Sequence, residues 1–331
     1  MAAPGPVGRH GQEPPGARAL AGAEDRQARH RTQGQRELRD RPAVRDLNWD
    51  LVQLQRRAGD DGSHATRRDR SYALARMADA LHEAGYRGLR AKGLKGKHVE
   101  ALVHHWRAGR VSDATIMNRM AHLRWWAERV GKGNLVKTNA DYGIRPRSHV
   151  SDGTKRRDLD AAKLARVEDP HVRMALRLQA AFGLRREEAV KFTPAREDRG
   201  DRIHIKGSTA KGGRPREVPV LTDGQRKVLD EARRLAGGGA LIPPGRNYAE
   251  QRKVYEDETR RAGLPRNHGL RHAYALDRYE VLTGWKAPAA GGPASGTLTE
   301  ARRRIDRAAR LTVAAELGHS RREISRTYLG A

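Results

Sequence analysis

Beyond residue 45, apolar side chains recur at helical spacing through most of the chain. The clearest run is SDATIMNRMAHLRWWAERVG, residues 112–131. Here Ile116, Met120, Leu123, Ala127 and Val130 fall at steps of four and three on one face, with Ser112 as candidate N-cap and Arg119, His122 and Arg129 opposite. Upstream, Tyr72, Met77, Ala80 and Leu81 follow a helical pattern ended by Gly85, and Val99, Leu102, Val103 and Trp106 another ended by Gly109. These patterns predict a helical bundle over 46–147. Trp125 and Trp126 read as core or interface residues rather than base-stacking platforms, because adjacent helical positions cannot both face a ligand.

Periodicity is lost over 148–158, SHVSDGTKRRD, which reads as a domain linker. Helices are expected at 160–168 and 170–182, with a break at Gly183. Alternation at Ile203 and Ile205, then at Val218 and Val220, brackets Gly207, Gly212, Gly213 and Pro215, and predicts two strands of a hairpin. Helices resume from Thr222. The fold class is therefore mainly α with a small β-hairpin: a helical N-terminal domain followed by an α+β domain over 159–331. Within the latter, TGWKAPAAGGPASGTLT at 283–299 reads as an inserted loop, either a flexible surface excursion or a contact to a neighbouring protomer. Residues 1–45 hold Ala, Gly, Pro, Arg and Gln with few large apolar side chains and read as a disordered basic arm; alternatively, translation starts further in.

Length and composition sharpen this picture. A chain of 331 residues suits about two domains at roughly 150 residues each. Apolar residues make up 37%, which excludes global disorder. Charge is the outlier: 67 Lys and Arg against 40 Asp and Glu leave +27, with a pI near 11.1. Such a field attracts a polyanion, nucleic acid first, though an Arg-biased genome also raises the count. The absence of cysteine excludes disulfides, thiolate zinc sites, iron–sulfur clusters and Cys nucleophiles. No run approaches a membrane span, and the N-terminus lacks the apolar stretch of a signal peptide, so a soluble, cytoplasmic and nucleoid-associated protein is expected.

Several familiar chemistries are missing from the motifs: GxxxxGK[ST], HExxH, a strand–GxGxxG–helix unit and a serine nucleophile elbow. Asp198, Asp201 and Lys206 could serve a metal nuclease, but a solvated loop of charges is the favoured reading. The stronger set is GLRREE at 183–188, TAKGGRPREVP at 209–219, HGLRHAY at 268–274 and LGHSRREISRTY at 317–328. Singly, each has a bland reading as a surface ion pair, a hairpin turn, a helix start or a packed terminal helix. Together they suit a phenol attacking a phosphodiester. A phenol of ordinary pKa near 10 must lose its proton and needs fixed cations around the developing charge. Two guanidiniums hold the nonbridging phosphate oxygens, a lysine protonates the leaving alkoxide, and histidines share protons near neutrality.

These residues resemble the tyrosine recombinases, or phage-type integrases, over about 160–328, and the helical domain before them is similar to that family's core-binding domain. The first family arginine aligns with Arg185 after Gly183-Leu184, with Glu188 at the acidic position. The hairpin lysine aligns with Lys211, eight positions before Pro219; His268 and Arg271 form the H-x-x-R box; and His319 precedes the nucleophile position, Tyr328, by nine. The resemblance implies a site-specific DNA recombinase that needs no metal or other cofactor. Tyr328 would form a 3′-phosphotyrosyl intermediate and free a 5′-hydroxyl. Arg185 and Arg271 would clamp the phosphate, Lys211 would act as general acid, His268 would assist proton transfer and His319 would bond the phosphate. Implied partners are double-stranded DNA, three further copies in a homotetramer on two sites and an accessory DNA-bending protein, with no membrane. Integration or excision of a mobile element is the expected role.

Two features depart from the family pattern. Forty-eight residues separate Arg271 from His319, more than the family leads one to expect, and only three residues follow Tyr328, so a long C-terminal exchange tail is not expected. Other readings are a type IB topoisomerase-like strand passer, which needs no partner site, a noncatalytic DNA-binding relative, and the metal nuclease, which EDTA would silence.

Overall fold

Helices α1 (Arg45–Arg57), α2 (His64–Glu83), α3 (Gly96–Ala108) and α4 (Asp113–Arg129) build the described part of the first of two units, Met1–Arg147 and Ser148–Ala331. The computed structural model describes residues 45–146, 154–208, 214–319 and 325–331. The arm expected over 1–45 lies, but for its last residue, outside them, as does the first part of the 148–158 stretch.

Serine caps start both long helices of the first unit. Ser63 Oγ accepts from Thr66 N at 3.2 Å and Ser112 Oγ from Thr115 N at 3.4 Å, each satisfying a backbone donor with no partner inside the helix. Ile116, Met120, Leu123 and Ala127 of α4 are buried with Leu74, Met77 and Leu81 of α2 and Leu102 and Trp106 of α3, as their spacing predicts. Both indoles of the tryptophan pair are occupied within the unit: Trp125 Nε1 donates to Asp61 at 2.7 Å and Trp126 Nε1 to the Ala91 carbonyl at 3.1 Å. Tyr72 departs from expectation, being 70% exposed. It stands two positions before Leu74, and residues two apart on a helix do not share a face.

The second unit contains α5 (Ala161–Ala165), α6 (Pro170–Phe182), α7 (Arg186–Val190), α8 (Pro194–Glu197), β1 (Arg202–Ile205), β2 (Arg216–Pro219), α9 (Asp223–Ala236), α10 (Tyr248–Arg261), α11 (His268–Thr283), α12 (Glu300–Glu316) and α13 (Ser325–Leu329). The expected hairpin strands pair antiparallel with Ile203 opposite Val218, and Ile203, Ile205 and Val218 point into the core. Val220 lies just past the strand, its N–H bonded to the Asp201 carbonyl at 2.8 Å. The core continues through Phe182, Phe192, Leu229, Tyr279 and Val313. The helix expected at 160–168 is shorter, ending at Ala165.

Within 283–299, two short 3₁₀ turns, Pro288–Ala290 and Ser295–Thr297, replace regular helix. The segment keeps exposed positions such as Gly284, Lys286 and Gly291, but it is anchored to the fold: Ala287 and Leu298 are buried and Ser295 bonds Asp306 of α12 at 3.1 Å. No helix among the described residues is long and apolar enough to cross a membrane.

Candidate active site

A left-handed glycine begins the site. Gly183 caps α6 at φ +60, and a Cβ there would stand 2.7 Å from Tyr274 Cδ1, so only glycine turns the chain here while letting α11 approach. The turn delivers Arg185 as N-cap of the five-residue α7. Glu188, on the first turn, reaches back: Arg185 N donates to Glu188 Oε2 at 2.7 Å and Arg185 Nη1 to Oε1 at 2.8 Å.

Arg216 of β2 seizes the same carboxylate. Its Nη1 and Nη2 donate to Glu188 at 2.8 and 2.6 Å, and its Nε to the Glu316 carbonyl at 2.8 Å. Side-chain exposure is 4% for Arg216 and 1% for Glu188. Burial pushes the Glu188 carboxyl up, but the bonds and charges of Arg216 and Arg185 outweigh it and hold the group down at about 2. One buried carboxylate thus couples the hairpin to Arg185. Sequence reasoning missed Arg216, although its place in P-R-E-V-P between Lys211 and Pro219 could have flagged it.

His268, Arg271 and His272 lie on one face of the first turns of α11, at spacings of three and four. Arg271 is 1% exposed. Its Nη1 donates to the Gly183 carbonyl, its Nη2 to that of Leu317, and its Nε to Tyr328 Oη at 3.3 Å. Arg185 Nη2 reaches the same Leu317 carbonyl at 3.3 Å. Leu317 caps the C-terminus of α12, where carbonyls lack helical partners and the helix dipole favours cations, so two guanidiniums can sit close together there. Burial lowers the Arg271 pKa to about 10, which leaves it charged at neutral pH.

The C-terminal residues close the cluster. Tyr328 of α13 is 5% exposed, and its hydroxyl lies 3.5 Å from His268 Nε2 as well as beside Arg271. His319 Nε2 is 3.5 Å from Arg271 Nη2, and its ring centroid is 5.5 Å from that of Tyr328. His272, which sequence reasoning did not single out, is nearer: its ring lies 4.5 Å from the phenol ring, tilted by 40°. Its place four residues after His268 was the available signal. The structure therefore brings together Arg185, His268, Arg271, His319 and Tyr328. Lys211 lies outside the described residues, although the strands flanking it in sequence are paired.

Burial, helped by the cations of Arg271, Arg185 and Arg216, lowers the His319 imidazole to about 3; burial, helped by His268, Lys155 and Arg271, lowers His272 to about 4. Both are neutral at pH 7. In the unfolded chain they titrate near 6.5, so unfolding takes up protons below that pH. The stabilisation is complete above pH 6.5 and is lost as the pH falls from there toward about 4 for His272 and about 3 for His319. Urea unfolding at pH 7.5 and 5.0 is expected to show lower stability at 5.0, with a smaller difference in the double variant His272→Asn/His319→Asn. An undiminished pH difference in the double variant would contradict neutral burial of the two rings.

Asp198 and Asp201 do not form a paired acidic site. Asp198 is buried and ion-paired to Arg226 and Arg233, whereas exposed Asp201 lies 3.2 Å from Arg202. Asp198 is therefore a structural anchor rather than part of a solvated loop. Among the described residues, no group of three or more His, Asp or Glu side chains is placed to hold a metal ion.

Comparisons with known proteins bear on the family and the fold. A family described as phage integrase, N-terminal, matches residues 44–136, and one described as integrase matches residues 145–277, a span that takes in Arg185, Lys211, His268 and Arg271 and stops before His319 and Tyr328. Among solved structures, a lambda integrase dimer bound to a COC′ core site is similar at 15% identity, TM-score 0.54, over 85% of this chain and 94% of that one. XerH site-specific recombinase bound to difH shares 16% identity, TM-score 0.51, over 85% and 80%. The Tn1549 transposon integrase in complex with transposon right-end DNA shares 10%, TM-score 0.51, over 86% and 95%. A search of curated proteins found no match. At these identities the structures establish a shared fold, and the two domain matches supply the assignment: the chain belongs to the phage-type integrase family of tyrosine recombinases.

Proposed function

We propose that this chain is a site-specific DNA recombinase that cuts and rejoins duplex DNA through a 3′-phosphotyrosyl intermediate, in the integration or excision of a mobile element. One observation carries the reading: the Tyr328 hydroxyl meets Arg271 and His268, residues 57 and 60 positions away in sequence, inside a cluster that also holds Arg185 and His319. In the proposed reaction the phenol oxygen forms a bond to phosphorus while the bond from phosphorus to the 5′-oxygen breaks. His268 takes the phenol proton and Lys211 gives one to the departing 5′-oxygen. Arg185 and Arg271 neutralise the charge building on the nonbridging oxygens. Attack by a partner strand's 5′-hydroxyl reverses the step and reseals the DNA. The phosphoryl bond energy stays in the tyrosyl link, so the cycle needs neither ATP nor a metal ion. The +27 charge suits a duplex partner, and four such sites would assemble as a tetramer on two DNA sites.

The test uses nicked DNA spanning the ends of the element or locus that encodes the gene, in EDTA without ATP, quenched in detergent. Wild type is expected to yield a covalent protein–DNA adduct. Arg185→Lys is expected to lose it despite keeping the charge, because an ammonium cannot reproduce the fork that joins Glu188 and the Leu317 carbonyl. Wild-type adduct yield from Arg185→Lys would move the phosphate clamp to another arginine.

A further inference from the structure

One buried carboxylate ties the 283–299 insertion to the segment that carries Tyr328. Asp306 of α12 accepts from Tyr279 Oη of α11 at 2.6 Å, from Ser295 Oγ of the insertion at 3.1 Å and from Arg310 Nε one turn further on at 2.8 Å. Arg310 then donates its Nη1 to the carbonyl of Gly330, two residues past Tyr328, at 2.9 Å. Asp306 is buried, and the Arg310 side chain is 12% exposed. From the other side, the insertion's turn at Pro288–Ala290 presses on the same residue: a Cβ on Gly330, whose φ is +77, would stand 2.7 Å from Ala289 N. The chain end is therefore gripped at one point, by a guanidinium on one side and by insertion backbone on the other.

A five-residue helix such as α13 has no stability of its own, so its orientation comes from tertiary contacts. We infer that the 283–299 insertion is an intramolecular clasp, in which Asp306 and Arg310 act as positioning residues that hold α13, and with it Tyr328, in this chain's own site. The inference rests on the reading of Tyr328 as nucleophile. It also accounts for the length between Arg271 and His319: the buried Ala287 and Leu298 turn the insertion toward its own unit rather than toward a neighbouring protomer.

Gly330→Ala and Arg310→Met in the full chain test this, read in two ways. Hydrogen exchange followed by mass spectrometry is expected to speed up over 325–331 by about ten-fold or more in both variants, with α6 and α9 unchanged. Single-turnover cleavage of saturating nicked DNA is expected to fall on the order of 100-fold, the cost of misplacing a reacting group by ~1 Å. DNA affinity stays at the wild-type value, and Arg310→Lys, which keeps an ion pair with Asp306, recovers part of the rate. Unchanged exchange over 325–331, a rise spread evenly over the whole second unit, or faster local exchange with undiminished cleavage would each overturn the clasp. If wild type forms no adduct at all, the nucleophile reading fails, while the exchange data still judge the clasp.

Discussion

Tyr328→Phe is expected to bind DNA as wild type does and to form no covalent adduct. The substitution removes one oxygen, whose contacts to Arg271 Nε and His268 Nε2 are long at 3.3 and 3.5 Å, and leaves the ring against His272 and His319. A hydrogen bond to a charged group contributes about 1.5–3 kcal/mol at good geometry, and less at this length, while Arg310 still holds the Gly330 carbonyl, so α13 keeps its place. On the proposed reading, a chain carrying +27 holds duplex DNA by many phosphate contacts, and the affinity does not register one phenol. Cleavage has no substitute for the missing nucleophile. Filter binding or mobility shift, run beside detergent-quenched adduct formation on one nicked substrate, separates the two. Parallel loss of binding and cleavage would place Tyr328 in the DNA interface rather than in the chemistry.

Glu188→Ala is expected to be the most damaging single change to the fold. It leaves the Arg216 guanidinium buried without its carboxylate and strips Arg185 of two bonds. Breaking a buried pair from one side costs about 3–5 kcal/mol, a large part of the 5–15 kcal/mol that holds a typical domain together. Denaturant unfolding of the variant reads the loss directly. The double variant Glu188→Leu/Arg216→Met is expected to regain much of the stability, because no unpaired charge remains, yet to stay inactive, because Arg185 is no longer held. A stability loss below about 1 kcal/mol in Glu188→Ala would show that the pair is solvated and contradict its assigned weight.

What the sequence made legible was local. Ser112 and the apolar stripe of α4, the alternation of the hairpin and the glycine break after α6 each depend on neighbours a few residues away, and the structure repeats them closely. The candidate site residues came from another signal, four short motifs with family-like internal spacing, and the fold brings Arg185, His268, Arg271, His319 and Tyr328 of that set into one cluster. Contacts between distant residues were not legible. Nothing along the chain says that Arg216 and Arg185 share one carboxylate, that His272 lies closer to the phenol ring than His268 does, or that Asp306 reaches both Tyr279 and Ser295. The favoured reading of Asp198 as part of a solvated loop failed because the local sequence says nothing about the arginines that reach it from α9. Composition suggested that the Gly- and Pro-rich insertion would stand away from the fold, but composition carries no information about the buried carboxylate it meets.

The central claim, that Tyr328 carries DNA through a phosphodiester bond, is tested most directly by finding where the adduct is attached. The adduct formed on nicked DNA in EDTA is to be digested with nuclease and trypsin and its peptides sequenced by mass spectrometry. The account predicts a nucleotide joined through its 3′-phosphate to Tyr328, on the peptide that begins at Thr327. A nucleotide on any other side chain, or joined through a 5′-phosphate, would contradict it.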